Sequence, residues 1–210
     1  MSKKNISQRT EPKKIVMVQG HPDPNPSGHH LCHGLAEAYR HGAHTGGHSV
    51  STVTVSTLDF PLLRTQAEWV EDDTPAGLRD AQKLILEADH MVLVYPLWLG
   101  GLPALTKGFL EQVLRPSLAV STPGAYPSMT EFGRMMKGTS ARVIVTMGMS
   151  VAAYRFFYFA HSLKNLERNI LKFVGFAPVR HSLFGMVESA GDQKRKKWLE
   201  KMKRLGAKGI

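Results

Sequence analysis

Ile15-Val16-Met17-Val18-Gln19-Gly20-His21-Pro22-Asp23-Pro24-Asn25-Pro26-Ser27-Gly28-His29-His30 is the stretch that decides how this chain is built. Four apolar residues in an unbroken run suit a strand buried on both faces, as in a parallel sheet. The next twelve residues hold three prolines and two glycines, which makes a stiff loop. Ser27 has the chemistry of a helix cap. Leu31, Leu35 and Ala38 follow at helical spacing and predict a helix over 29–44.

The same alternation runs along the whole chain. Val50–Val55 alternates Val with Ser and Thr, as a half-covered edge strand does. Thr74 and Pro75 read as the N-cap and first residue of a helix reaching Ala88. Met91–Tyr95 and Arg142–Met147 are further buried strands. Between them, Pro103 opens a helix that buries Leu105, Phe109, Leu110 and Val113. Ser162 reads as the cap of a helix carrying Leu163, Leu166 and Ile170 up to Gly175. Val179–Val187 is the fifth strand, and a last helix covers Asp192–Leu205. Five β-α units predict an α/β, three-layer fold with a parallel sheet and helices on both faces. Five strands fit the flavodoxin-like order 2-1-3-4-5 better than the six-strand dinucleotide fold. In that order ligands bind beyond the carboxyl ends of strands 1, 3 and 4.

A chain of 210 residues suits one domain. The reading is a flexible basic tail at 1–12 and a single flavodoxin-like domain over 13–207. The net charge is +10, and it divides unevenly. Residues 1–14 carry five Lys/Arg against one Glu, a net of +4, and residues 192–210 carry eight against two acids, a net of +6. The stretch 15–191 holds 14 of each sign and is neutral, which argues against a nucleic-acid partner. Cys32 is the one cysteine, so no internal disulfide forms and a reducing compartment is expected. The polar N-terminus lacks the apolar core of a signal peptide. The run 91–106 is too broken by Pro96, Gly100, Gly101 and Pro103 for a membrane helix, so the expected location is cytoplasmic.

The loops after strands 1, 3 and 4 each admit two readings. His29 and His30 beside a helix start suit an anion such as phosphate, or the loop is simply stiffened by proline above an ordinary capped helix. It is neither a Walker A loop nor a Gly-x-Gly-x-x-Gly fingerprint. Trp98, within Tyr95-Pro96-Leu97-Trp98-Leu99-Gly100-Gly101, offers a flat face beside exposed amides for a planar heterocycle, or else fills the core. Thr146-Met147-Gly148-Met149 offers backbone donors, and Tyr154 and His161 are titratable donors nearby or structural residues. His29 and His33, one turn apart beside Cys32, lack the further ligands of a zinc site, and no metal is expected.

Together these segments resemble the flavodoxin-like NAD(P)H:quinone oxidoreductase family of diaphorase-type enzymes, which also contains potassium-efflux ancillary proteins. The likeness covers Ile15 to Leu205. It rests on His21-Pro22 with Ser27 and His29, on Tyr95–Trp98 leading into Pro103–Phe109, on Thr146–Met149 with Tyr154, and on Asn169–Phe176. The resemblance implies a noncovalent flavin, FMN or FAD, with NAD(P)H as co-substrate. His21, Ser27 and His29 would hold its phosphate end. Pro96, Leu97, Trp98 and Leu99 would line the ring, with Thr146, Met147, Gly148 and Met149 at the opposite edge. Tyr154 and His161 resemble the family's Tyr/His pair that stabilises the reduced ring, although His161 stands one residue further from Tyr154 than in the diaphorases. The chain departs from the family at Met149, where a second Gly is common, and at His29, where Asn is common. Rings that members place over the substrate would fall near Ala119-Val120, with Tyr126 as a replacement.

The function so implied is two-electron, ping-pong reduction of a quinone or similar small electrophile by NAD(P)H. The alternative is an ancillary regulatory flavoprotein on a membrane transporter of the potassium-efflux type, peripherally associated with the membrane. A one-electron carrier is disfavoured by the lack of an acidic surface. The family also implies a homodimer, for which Phe156-Phe157-Tyr158-Phe159 is a candidate contact, although a buried core segment explains that run equally well. The last helix reads as packed through Trp198, Met202 and Leu205, with its lysines in solvent.

Overall fold

The computed structural model describes residues 11–25, 30–70, 73–119 and 126–210. Its sheet contains β1 (Lys14–Gln19), β2 (Ser49–Thr54), β3 (His90–Pro96), β4 (Ser140–Met147) and β5 (Val179–Gly185). All neighbours are parallel, in the order β2-β1-β3-β4-β5. The unbroken apolar runs occupy the three inner strands, while β2, with Val53 as its one buried residue, lies at an edge as its alternation predicts.

The helices are α1 (Leu31–Thr45), α2 (Gln66–Val70), α3 (Arg79–Leu86), α4 (Ala104–Val113), α5 (Met129–Phe132), α6 (His161–Asn165) and α7 (Asp192–Ala207). Ile15, Met17, Val92, Val94 and Ile144 face α1 and α7 on one side of the sheet. Val16, Val18, Leu93, Val143 and Val145 face α3, α4 and the segment carrying α6 on the other.

Two expected caps are corrected. The chain after Pro75 makes a tight turn at Ala76–Leu78, so α3 begins at Arg79, with Leu78 in the capping position. Thr74 instead accepts a hydrogen bond from Gln82 Nε2 (2.6 Å). Ser162 lies inside α6, which follows Ala160 in the left-handed conformation, and wider π-helical turns at Ala153–Phe157 and Leu166–Leu171 flank it. The cap that does form was not anticipated: Ser128 and Glu131 make a reciprocal capping box at α5.

α1 and α7 meet backbone to backbone. A Cβ on Gly42 would lie 1.9 Å from the Lys203 carbonyl oxygen, one on Gly206 2.0 Å from that of Tyr39, and one on Gly46 2.3 Å from that of Ala207. No side chain fits at these three points, so the glycines set the distance between the helices. The chain end folds into the same seam: the Ile210 carbonyl accepts from Arg142 Nε (2.7 Å) and Lys13 Nζ donates to the Gly209 carbonyl (2.9 Å). Gly206→Ala must push α7 away from α1. We expect a loss of about 2 kcal/mol or more, seen as a fall of roughly 4–8 °C in the thermal midpoint by circular dichroism. An unchanged midpoint would contradict a tight seam.

Candidate active site

Where β1 ends, Gly20 is locked from two sides. Its amide donates to Val94 O (2.7 Å), and its carbonyl accepts from Thr106 Oγ1 (2.7 Å). Thr106 sits so close that a Cβ on Gly20 would fall 2.8 Å from its methyl. The chain then delivers His21, buried, into a group of three imidazoles. Its ring stacks on His30 (centroids 3.8 Å) and meets His33 edge-on (5.4 Å). His30 Nε2 lies 2.7 Å from Asp23 Oδ2. Burial, together with the neighbouring His30 and His33, lowers the His21 pKa to about 4. The ring is therefore neutral near pH 7. Its Nδ1 accepts from the Asp23 amide (3.3 Å), which leaves the proton on Nε2 as a donor. α1 begins beside this ring with no acid in its first turn, and the side chain of its N-cap residue, His30, does not cap its amides. Neutral donors beside a positive helix end suit an anion. Ser27 and His29, expected to bind the same group, lie outside the described residues.

After β3, Pro96 is buried at the strand end and Leu97 is half-buried, its amide donating to the Thr146 carbonyl (2.8 Å). Trp98 and Gly101 then exchange both backbone hydrogen bonds (3.0 and 2.9 Å) across a turn whose central residues, Leu99 and Gly100, have φ of 44° and 80°. Two successive positive φ values make this a type I′-like turn, in which leucine is strained. The turn leaves the Leu99 and Gly100 amides without a partner among the described residues. Trp98 is half in solvent, its ring 6.3 Å from that of His21. It is not a core residue.

After β4 the predicted residues separate into two groups. The Thr146 side chain is buried and turned toward α1, where its Oγ1 lies 3.1 Å from Cys32 Sγ. Met147 is buried in the core. Neither side chain faces the open side, because residues alternate along a strand. Gly148 is exposed beside Glu188, and Met149 is half-buried; their amides also have no partner among the described residues. Met149 lines a cavity of about 420 Å³ with Leu97, Leu99, Gly100, Tyr154, Tyr158, His161 and Ser162. Tyr154 is buried, and its hydroxyl accepts from the Leu163 amide (3.1 Å) and shares a hydrogen bond with Ser162 Oγ (2.8 Å). His161 is exposed at the rim. Ser162 is the site residue that sequence reasoning assigned to the wrong task. Its position before Leu163 has the pattern of a cap, and only the folded chain shows its hydroxyl against Tyr154.

Other candidates sit elsewhere. Tyr126 packs against Trp69 and Phe132, two residues lining a separate cavity of about 550 Å³. Val120 lies outside the described residues. Burial raises the Cys32 thiol pKa to about 12, so it is no nucleophile at neutral pH. Phe156, Phe157, Tyr158 and Phe159 are all more than half exposed, not a core segment. Among the described residues no group of three His, Cys, Asp or Glu could hold a metal ion.

Known proteins share sequence and fold with this chain. Over 127 residues the chain is 32% identical to an uncharacterized NAD(P)H oxidoreductase of Haemophilus influenzae, covering 60% of each protein. It spans about 60% of the length of the curated relatives it matches. Among solved structures, an NAD(P)H:quinone oxidoreductase from Methanothermobacter marburgensis superposes with a TM-score of 0.75 at 20% identity, covering 93% of this chain and 96% of that one. An FMN-dependent NADH-azoreductase from Bacillus anthracis, in complex with FMN, gives 0.68 at 11% identity, covering 92% and 97%. These two show the shared fold. The family model described as flavodoxin-like fold matches residues 13–205, so the chain belongs to that family.

Proposed function

We propose that the protein is an NAD(P)H-dependent flavin oxidoreductase that reduces a quinone or a similar small electrophile by two electrons. The observation that carries this reading is the convergence of three loops on one site. The Leu97 amide bonds to the Thr146 carbonyl at 2.8 Å, and Trp98 lies 6.3 Å from His21. An anion-binding corner is thereby joined to a flat indole, a cavity and four amides that have no partner among the described residues. These are the parts that a phosphorylated, planar heterocycle requires. The names of the relatives and neighbours above support the same chemistry.

A flavin, FMN or FAD, would supply hydride acceptance from NAD(P)H and its delivery to the acceptor. Around it the chain's own groups divide the work. His21 donates from Nε2 toward the phosphate end, with Ser27 and His29 assigned to the same end. Pro96, Leu97, Trp98 and Leu99 line the ring. The Gly148 and Met149 amides would donate toward the negative charge that a reduced flavin carries, while Thr146 and Met147 hold that loop from behind. Tyr154, its oxygen fixed by the Leu163 amide, keeps a proton between itself and Ser162, and His161 adds a donor at the rim. Such preorganised donors lower a barrier by a few kcal/mol. NAD(P)H and acceptor would use the one cavity in turn. The four exposed aromatics from Phe156 to Phe159, one of which lines the cavity, favour a second copy of the chain as their cover, a homodimer with the site near its interface.

Purified protein is expected to carry or take up FMN or FAD, identified by its visible spectrum and by mass analysis after heating. Initial-rate lines for NADH at several quinone concentrations should run parallel; a colourless protein that takes up neither flavin, or intersecting lines, would sink the reading. Tyr154→Phe should lower kcat by about 10- to 100-fold with flavin still bound, and full activity would remove Tyr154 from the chemistry. Equilibrium sedimentation at low micromolar concentration should give a dimer. A monomer would refute that part.

A further inference from the structure

Lys13, 196 residues before Gly209, meets the end of α7 in space: its Nζ donates to the Gly209 carbonyl. α7 carries most of the +6 of residues 192–210. Its cations are arranged, not scattered. Lys194, Lys197, Lys201, Arg204 and Lys208 follow one another at steps of three and four, and all five are exposed. At 100° per residue they fall within about a quarter of the helix circumference, in a row roughly 21 Å long. The two acids of α7, Asp192 and Glu200, fall outside that sector. None of the eight Lys/Arg of residues 192–210 forms an ion pair among the described residues. Further cations stand close by: Arg142 of β4 and Arg155, with Arg204 of the row itself, add to burial in lowering the Lys201 pKa. The repulsion within this surface is unrelieved by the chain itself, although residues 15–191 hold 14 acids.

We propose that the α7 row is a docking surface for an anionic lipid bilayer. A straight row of cations on a convex helix matches a plane of negative charge. Four of the five are lysines, point charges suited to diffuse anionic headgroups rather than to the forked recognition arginine gives. A surface for single-stranded nucleic acid would show aromatic platforms for bases. Here Trp198 is turned inward onto Phe184, with Lys194 over its ring. No helix among the described residues is long and apolar enough to cross a membrane, so the contact is at the surface. This inference goes beyond the proposed oxidoreductase reading and does not need it.

The test is co-sedimentation of the full chain with vesicles, read as bound protein. We expect binding to an equal mixture of phosphatidylcholine and phosphatidylglycerol, none to phosphatidylcholine alone, and release at about 0.5 M salt. The K197Q/R204Q/K208Q variant should bind roughly a hundredfold more weakly. K83Q/K164Q/K172Q, which removes the same charge from exposed sites elsewhere, should bind like the unchanged chain. No binding to the anionic vesicles at low salt, equal binding to neutral ones, or equal losses in the two variants would overturn the proposal. So would tighter binding to duplex DNA than to vesicles. Should the α7 variant fail to fold, the lipid and salt series on the unchanged chain decides alone. None of these readouts involves flavin or turnover, so failure here and failure of the oxidoreductase reading are separable.

Discussion

The absence of three side chains holds much of this structure in place. With hydrogen alone at Gly42, Gly46 and Gly206, α1 and α7 approach until backbone touches backbone. Packed interiors are dense, so a contact this close leaves the two helices no room for a second arrangement. The position of α1 in turn fixes where its first turn lies relative to the end of β1. That relation places His30 on His21 and so shapes the anion corner. The position of α7 lays Trp198 against Phe184 and brings the last residues under Arg142 and Lys13.

A second lock works at the carboxyl end of the sheet. Thr106 reaches from α4 to the Gly20 carbonyl, and the Leu97 amide reaches to the Thr146 carbonyl. These short bonds tie the ends of β1, β3 and β4 to one another at the point where the strand order reverses. Backbone groups at strand ends would otherwise need water. The site is thus assembled by the same bonds that close the carboxyl end of the sheet.

The fold was largely legible because its signals are strong. A strand buried on both faces must be apolar throughout, and Ile15–Val18, Met91–Tyr95 and Val143–Val145 are. Such runs mark the three inner strands, and the alternation at Val50–Val55 marks an edge. The choice of site loops followed from topology. What the sequence concealed is orientation. Thr146 falls on the α1 side of β4 and bonds to Cys32, although its neighbours Gly148 and Met149 face the opening. Ser162 precedes Leu163 just as a cap would, and the π-helical turns around it leave no mark in apolar spacing. Nothing in the sequence around Gly42 and Gly46 shows that α7 lies across them. In each case the deciding partner is more than a hundred residues away or hangs on a local backbone detail.

The turn from Trp98 to Gly101 has one further consequence. Its strained leucine and its doubled backbone hydrogen bond mean that folding, and not the arrival of a ligand, sets the direction of the Leu99 and Gly100 amides. A molecule reaching this corner meets donors already aligned, and little chain entropy remains to be lost on contact. Recognition there is rigid, and its selectivity comes from shape more than from adjustment.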